Sequence, residues 1–197
     1  MNNTIDYYNR NAESYYWNTV GVDLDATRKR FAAYLRDGAF VIDMGCGSGR
    51  DVVAFSDMGF RVIGIDASEE LVYLAQERLG INAFMADMST WLQGDKYDGI
   101  WCCASLMHLD EAECRQFFIN LNCNLKKGGV LYFSVKSGIK TGTDEEGRYM
   151  RDFTEEDIRE LISYVEGLTI KEYWYTDDIL NRRDFRWLNV IAQRSPE

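Results

Sequence analysis

The stretch "VIDMGCGSGRD", residues 41–51, decides how this chain is read. An apolar run carries one carboxylate, Asp43, near its end, breaks into Gly45-Cys46-Gly47-Ser48-Gly49, and then resumes helix-forming residues. Strand, glycine turn and helix in that order are how an open parallel sheet offers its first strand to a ligand, because glycines reach positive φ and let a bound group approach the backbone. Two nucleotide patterns can be tested at once. A dinucleotide turn wants G-x-G-x-x-G, but position 50 is Arg50; a P-loop wants G-x-x-x-x-G-K-[ST], but no lysine follows Gly49. A carboxylate just ahead of the turn repels a diphosphate and suits a cation.

The flanking sequence repeats the rhythm. Apolar, β-branched runs at 39–44, 61–66, 81–87, 97–104 and 130–136 read as strands, and periodic segments at 50–59, 68–80 and 111–125 read as helices between them. Ser68 and Gly80 bracket one of these helices as N-cap and C-cap, and "KKGG" stops another. Further on, 154–165 reads as a helix capped by Thr154, and 168–177 and 185–194 as two strands. The loop between those last strands, about eight residues, is too short for a parallel crossover, so they run antiparallel. The expected fold is α/β: a doubly wound, seven-stranded, Rossmann-like sheet, mostly parallel with an antiparallel last strand, in one domain over 1–197.

Composition narrows the partners. The chain is 46% apolar and carries a formal charge of −10, which argues against an extended nucleic-acid surface or an anionic membrane as the main partner. Five cysteines stand at 46, 102, 103, 114 and 123 without a CxxC, beside a single histidine, His108; reduced thiols and no metal site are expected. The polar, aromatic start is unlike an export signal, and no apolar run approaches the ~20 residues of a membrane span, so a soluble, cytoplasmic protein is expected.

The ends of the next two strands say what the ligand is. Asp66 closes the second strand, in "VIGIDAS", where an acid accepts both hydroxyls of a ribose. Asp87 closes the third, in "FMADM", within reach of an exocyclic adenine amine, with Met88 against the ring. Acids at three successive strand ends describe a nucleoside that bears a positive charge and no phosphate, which is S-adenosylmethionine.

In order and spacing, "VIDMGCGSGRD", "VIGIDAS", "MADM", "YDGIWCCASLMHL" and "LKKGGVLYFSVKSG" resemble the successive motifs of class I S-adenosylmethionine-dependent methyltransferases, well over residues 38–138. Any one of these motifs is weak alone; the ordered set carries the resemblance. It implies strand order 3-2-1-4-5-7-6, with Asp43, Gly45, Cys46 and Gly47 at the methionine part, Asp66 and Ala67 at the ribose, and Asp87 and Met88 at the adenine. It also implies a role for Arg28 at the cofactor's carboxylate, and a place for His108 near the reacting centre, orienting or deprotonating an acceptor.

The acceptor side is read from loops at the same sheet rim. Tyr149 is a candidate catalytic residue in the loop after the fifth strand, with Arg151 beside it. Arg182, Arg183 and Arg186 form a basic spot suited to an anionic substrate or, more simply, to pairing with Asp177, Asp178 and Asp184. Ile5, Tyr8, Ala12 and Tyr15 or Tyr16 recur at helical spacing, so residues 1–24 are expected to form an amphipathic lid or a helix packed elsewhere on the body. Cys102, Cys103 and Trp187 read as core. A methyltransferase acting on an O, N or S nucleophile of a small molecule, as a monomer or homodimer, fits best. A tRNA methyltransferase of the wobble-uridine type and a non-catalytic cofactor-binding partner in a complex are the alternatives.

Overall fold

A computed structural model of the protein describes residues 3–92, 97–178 and 185–196. Helices α1 (Asn3–Arg10), α2 (Ala12–Thr19) and α3 (Asp25–Ala32) precede the sheet. There follow β1 (Phe40–Met44), α4 (Arg50–Asp57), β2 (Arg61–Asp66), α5 (Glu69–Leu79), β3 (Ala83–Met85) and β4 (Tyr97–Cys103). A short 3-10 turn at Leu106–His108 leads into α6 (Glu111–Asn124), then β5 (Leu125–Ser137), β6 (Gly142–Thr143), β7 (Tyr149–Met150), α7 (Glu155–Ser163), β8 (Leu168–Thr176) and β9 (Arg186–Arg194).

The main sheet has seven strands in the order β3-β2-β1-β4-β5-β9-β8. β3, β2, β1, β4 and β5 pair in parallel, while β9 is antiparallel to both β5 and β8. This is the expected topology; β6 and β7 form a separate two-stranded ladder within what the sequence presented as an irregular loop.

Period-two alternation explains the two layers. Ile42, Met44, Ile100, Cys102, Leu131, Phe133 and Val135 face α6 and α7 in the larger core. Val41, Trp101, Val130 and Tyr132 face Phe31 of α3 and Phe55 of α4 in an aromatic one. There Trp101 and Tyr132 stack with centroids 3.9 Å apart, each ring removing of order 3 kcal/mol worth of apolar surface from water. Cys102 is core as expected, whereas Cys103 turns to the opposite face and is only partly covered.

Local signals held where they were specific. The Ser68 hydroxyl accepts from Leu71 N at 3.2 Å and Gly80 closes the helix with φ of 64°. Thr154 opens α7 with a reciprocal capping box to Asp157. One boundary differs: "KKGG" does not separate helix from strand, because β5 already begins at Leu125, opposite Tyr97. The extra residues are absorbed by a register shift between Tyr97 and Gly99 with Gly128 at φ of 78°, a bulge that brings Val130 opposite Gly99.

Candidate functional site

Two cavities meet at the carboxyl ends of the parallel strands. The smaller, about 100 Å³, is walled by Asp66, Ala67, Asp87 and Met88 from the ends of β2 and β3, with Ile5, Leu71 and His108. The larger, about 370 Å³, is walled by Cys46, Arg50, Cys103, Tyr132, Lys136, Arg148 and Trp187, among others. Tyr8, Tyr15, Gly45 and Ala104 belong to both walls and mark the junction.

The glycine turn shapes that junction. Gly45 has φ of 83°, and a Cβ there would stand 2.5 Å from the Ser105 Cβ, so neither strain nor space admits a side chain. Gly47, at φ of 50°, lies under Tyr15, whose ring would be 3.1 Å from a Cβ. Gly49 serves packing instead, with Ile81 and Ala75 of the α5 region closing on it. Opposite, Ala104 holds φ of 57° at the end of β4, a left-handed conformation costing of order 1 kcal/mol. Ser105 follows it and donates to the Met44 carbonyl at 2.9 Å, tying the ends of β1 and β4 together.

Each expected acid has a definite setting. Asp66 accepts from Gly47 N at 2.8 Å and from Ser68 N at 2.9 Å, one bond to each carboxylate oxygen, and lines the smaller cavity. Burial raises its pKa, with the backbone donors acting in opposition. Asp87 is exposed on the cavity wall and accepts from Ser89 N and Oγ through Oδ1 alone. Asp43 is only 2% exposed, and among the described residues no donor hydrogen-bonds its carboxylate. Burial, then the charges of Asp51 and Asp66, raise its pKa well above the usual range, with Arg50 pulling it down. A carboxylate in that state gains from a cation brought close to it.

Arg28 is not where the resemblance puts it. Its Nη1 donates to Asp51 Oδ1 at 2.7 Å and its Nη2 to Asp25 at 2.7 Å, behind the cavity wall rather than on it, and its buried Nε has no partner. Arg50, which the sequence offered only as a departure from a dinucleotide turn, stands on the wall instead. It clasps Asp51 through Nε at 3.0 Å and Nη2 at 2.7 Å, while Trp101 Nε1 adds a bond at 3.1 Å. Burial pushes Asp51 up, but the two guanidiniums outweigh it and hold the carboxylate ionised.

His108 stands on the wall of the smaller cavity. Its Nδ1 lies 2.9 Å from the Tyr149 carbonyl, which can only accept, so Nδ1 carries the proton and Nε2 the lone pair. Tyr8 O–H donates to that Nε2 at 2.8 Å. Burial lowers the His108 pKa to about 4, Arg148 and Lys136 acting in the same sense, against the Tyr149 carbonyl bond and Asp144. Burial likewise lifts Tyr8 to about 12, with Arg148 opposing.

Tyr149 takes part through its backbone: its carbonyl orients His108, its N–H donates to Thr4 Oγ1 at 2.9 Å, and its phenol lines neither cavity. On β7 alternate residues face opposite ways, so Arg148 and Met150 are the ones on the larger cavity's wall. Arg151 turns away to Asp157, at 3.3 Å. Arg186 is exposed and covers the Tyr175 ring at 4.4 Å, while Arg182 and Arg183 lie outside the described residues. Trp187 is half-buried rather than core; its Nε1 donates to Asp178 at 3.2 Å and its ring lines the larger cavity.

The N-terminal helices pack on the body and also reach the cavities. Ala12 and Tyr16 pack on Leu71 and Leu74 of α5, while Ile5, Tyr8 and Tyr15 line the cavities. Asn9 Oδ1 accepts from Ser68 Oγ at 2.7 Å, so α1 spans from α5 to β7 across the junction. Among the described residues no helix is long and apolar enough to cross a membrane, and no cluster of His, Cys, Asp and Glu is arranged to hold a metal ion.

Fold and site together define a Rossmann-like protein with an acid-lined cavity at the ends of its first three strands. Residues 41–129 match a family model described as a methyltransferase domain. A protein of Geobacillus sp. described as a candidate methyltransferase is 34% identical over 142 residues, 62% of this chain and 57% of that protein. One of Bacillus subtilis is 30% identical over 148 residues, 72% of this chain and 58% of its own length. The chain thus spans a little over half the length of these curated relatives. Among solved structures, the Burkholderia thailandensis 1,6-didemethyltoxoflavin-N1-methyltransferase, bound to 1,6-didemethyltoxoflavin and S-adenosylhomocysteine, superposes with a TM-score of 0.75 at 21% identity, covering 96% of this chain and 88% of that one. The magnesium protoporphyrin IX methyltransferase of Synechocystis PCC 6803, with bound S-adenosylmethionine, gives 0.75 at 21%, covering 99% and 98%. The chain thus carries a methyltransferase domain over residues 41–129 and shares the fold of the class I S-adenosylmethionine-dependent methyltransferases.

Proposed function

We propose that the protein transfers a methyl group from S-adenosylmethionine to a nucleophile of a small molecule. The observation that carries this reading is the pair of cavities meeting over positive-φ glycines, one walled by the strand-end acids Asp66 and Asp87 and the other by aromatic and cationic side chains. The residues present fit such a cofactor. Asp66 keeps lone pairs for a diol, Asp87 Oδ2 for an amine and Met88 a thioether for a ring face, while buried, unpartnered Asp43 favours a nearby cation. Gly45, Cys46 and Gly47 leave backbone room at the junction, Ala67 walls the nucleoside side, and Arg28 contributes by holding Asp51 and, through it, Arg50.

Bound there, S-adenosylmethionine supplies a methyl group on an already activated, positively charged sulfur. The protein's part is then to align an acceptor and exclude water, and Tyr8 and Tyr15 covering the junction serve both ends. His108, neutral and with an unprotonated Nε2 that accepts from Tyr8, is the base at this junction. An open larger cavity favours an enzyme over a non-catalytic partner, and the charge of −10 favours a metabolite over tRNA.

The test is thermal stabilisation by S-adenosylhomocysteine, followed by incubation with radiolabelled cofactor against a metabolite extract and against total RNA. Stabilisation with label in the metabolite fraction is expected. No stabilisation of folded protein defeats the cofactor assignment, and label in RNA alone defeats the small-molecule acceptor.

A further inference from the structure

We propose that Tyr8 and His108 act as one proton-accepting pair for a hydroxyl acceptor, with the Tyr8 phenol as the group that meets the substrate. The proposal rests on the methyltransferase reading above and deepens it by naming the acceptor's chemistry.

Position comes first. Tyr8 is one of the few residues on the walls of both cavities, at the junction where nucleoside and acceptor sides join. His108 lines only the smaller cavity and its Nε2 is capped by the Tyr8 hydroxyl at 2.8 Å. A substrate in the larger cavity therefore reaches the Tyr8 oxygen before the imidazole. Because Nδ1 is committed to the Tyr149 carbonyl at 2.9 Å, the direction of the Tyr8 hydrogen bond is fixed, and the phenol oxygen, with Arg148 on one side, keeps a lone pair for an incoming O–H.

Burial keeps both groups neutral at rest, and the charges around them act in both directions. Arg148 lies close enough to Tyr8 to favour its anionic form, which stabilises negative charge developing on the phenol as its proton leaves. Asp144 opposes Arg148 and Lys136 at the imidazole, and Glu113 of α6 and Asp66 of β2 line the same cavity. The neutral imidazole is available throughout the range above its lowered pKa of about 4.

Such a pair is useful to one class of acceptor. An amine attacks through a lone pair it already has and sheds its proton afterwards, and a thiol ionises readily near neutral pH. An alcohol or phenol has to lose its proton as the new bond forms. In the proposed step the acceptor oxygen bonds to the methyl carbon as the carbon–sulfur bond breaks and its electron pair returns to sulfur. The acceptor's proton passes to the Tyr8 oxygen, and the Tyr8 proton passes to His108 Nε2. The products are a methyl ether, a neutral thioether and an imidazolium that returns its proton to water. Tyr132, Trp187, Met107 and Met150 on the larger cavity's wall fit a flat, aromatic hydroxyl compound.

The lone histidine makes this testable without knowing the natural substrate. Full-length protein labelled with ¹⁵N-histidine is loaded with S-adenosylhomocysteine, and its imidazole shifts are followed as p-nitrophenol is added, with the probe's absorbance recorded in parallel. The expected result is a bare Nε2 that moves toward its protonated position as the probe moves toward phenolate. Tyr8→Phe is expected to shift the starting Nε2 resonance and abolish both responses, and to lower transfer to any phenol the wild type methylates by about 100-fold. An Nε2-protonated tautomer, a probe that binds only as neutral phenol or not at all, or equal responses in wild type and Tyr8→Phe would each overturn the proposal. A merely structural latch moves the starting resonance but not the probe's ionisation. Calorimetry of S-adenosylhomocysteine on the same samples tests the cofactor assignment separately, because the imidazole tautomer is readable whether or not it binds.

Discussion

The two cavities differ in how they are built. The smaller is made by strand ends, where Asp66 and Asp87 sit one turn from a backbone that also supplies their hydrogen-bond partners. The larger is assembled from remote parts of the chain: Tyr8 from α1, Tyr132 and Lys136 from β5, Arg148 beside β7 and Trp187 from β9. The first is a local device repeated along a parallel sheet, and the second exists only once the whole chain has folded. The smaller cavity should therefore respond to changes one residue at a time, and the larger through the buried charges that brace it.

The largest effect is expected at that brace. Asp51→Asn removes the counter-charge shared by Arg28 and Arg50 and should cost about 3–5 kcal/mol in urea unfolding. A cost under about 1 kcal/mol would mean that the acceptor side does not depend on it. Next, Asp66→Ala should erase the ligand-induced stabilisation, about 3–4 kcal/mol at cofactor concentrations far above Kd, while the apo protein stays folded; a normal thermal shift in the variant would remove Asp66 from the site. Gly45→Ala combines a left-handed φ of 83° with a contact at 2.5 Å from Ser105, so a loss of about 2–3 kcal/mol is expected by calorimetric melting.

The smallest effect is the pH response of His108. Its folded pKa, about 4, lies below the ordinary 6.5, so between those values the unfolded chain binds a proton that the folded one does not. Stability should therefore fall as pH drops from about 6.5 toward 4, by about 2 kcal/mol after allowance for its partial exposure, and change no further from this group below that. Denaturant titrations of wild type and His108→Gln across the window check this, and parallel curves would remove His108 as the source.

The same contrast explains what could be read from the residues alone. Asp43, the glycine turn, Asp66 and Asp87 announce themselves because strand periodicity dictates where each falls. Tyr149 and Arg151 were the wrong pair from the right loop: the short β6–β7 ladder sets which alternate residues face inward, and no apolar pattern marks a two-residue strand. Arg28 departs from the implied place because the buried charge of Asp51, five residues beyond Cys46 at the start of α4, draws it away from the wall. The Tyr8–His108 bond joins residues 100 positions apart, and a helical aromatic face says only that Tyr8 points inward, not what it meets.

The crossing of α1 over the junction has a kinetic consequence. Thr4 fastens it beside β7, Asn9 fastens it at the head of α5, and Tyr15 of α2 overhangs Gly47. Whatever fills the space above the turn is roofed by those rings, so its escape must wait for the span to come loose. Turnover would then be paced by how often these two anchors let go, and weakening either anchor should shorten the dwell time of a bound nucleoside more than it slows capture.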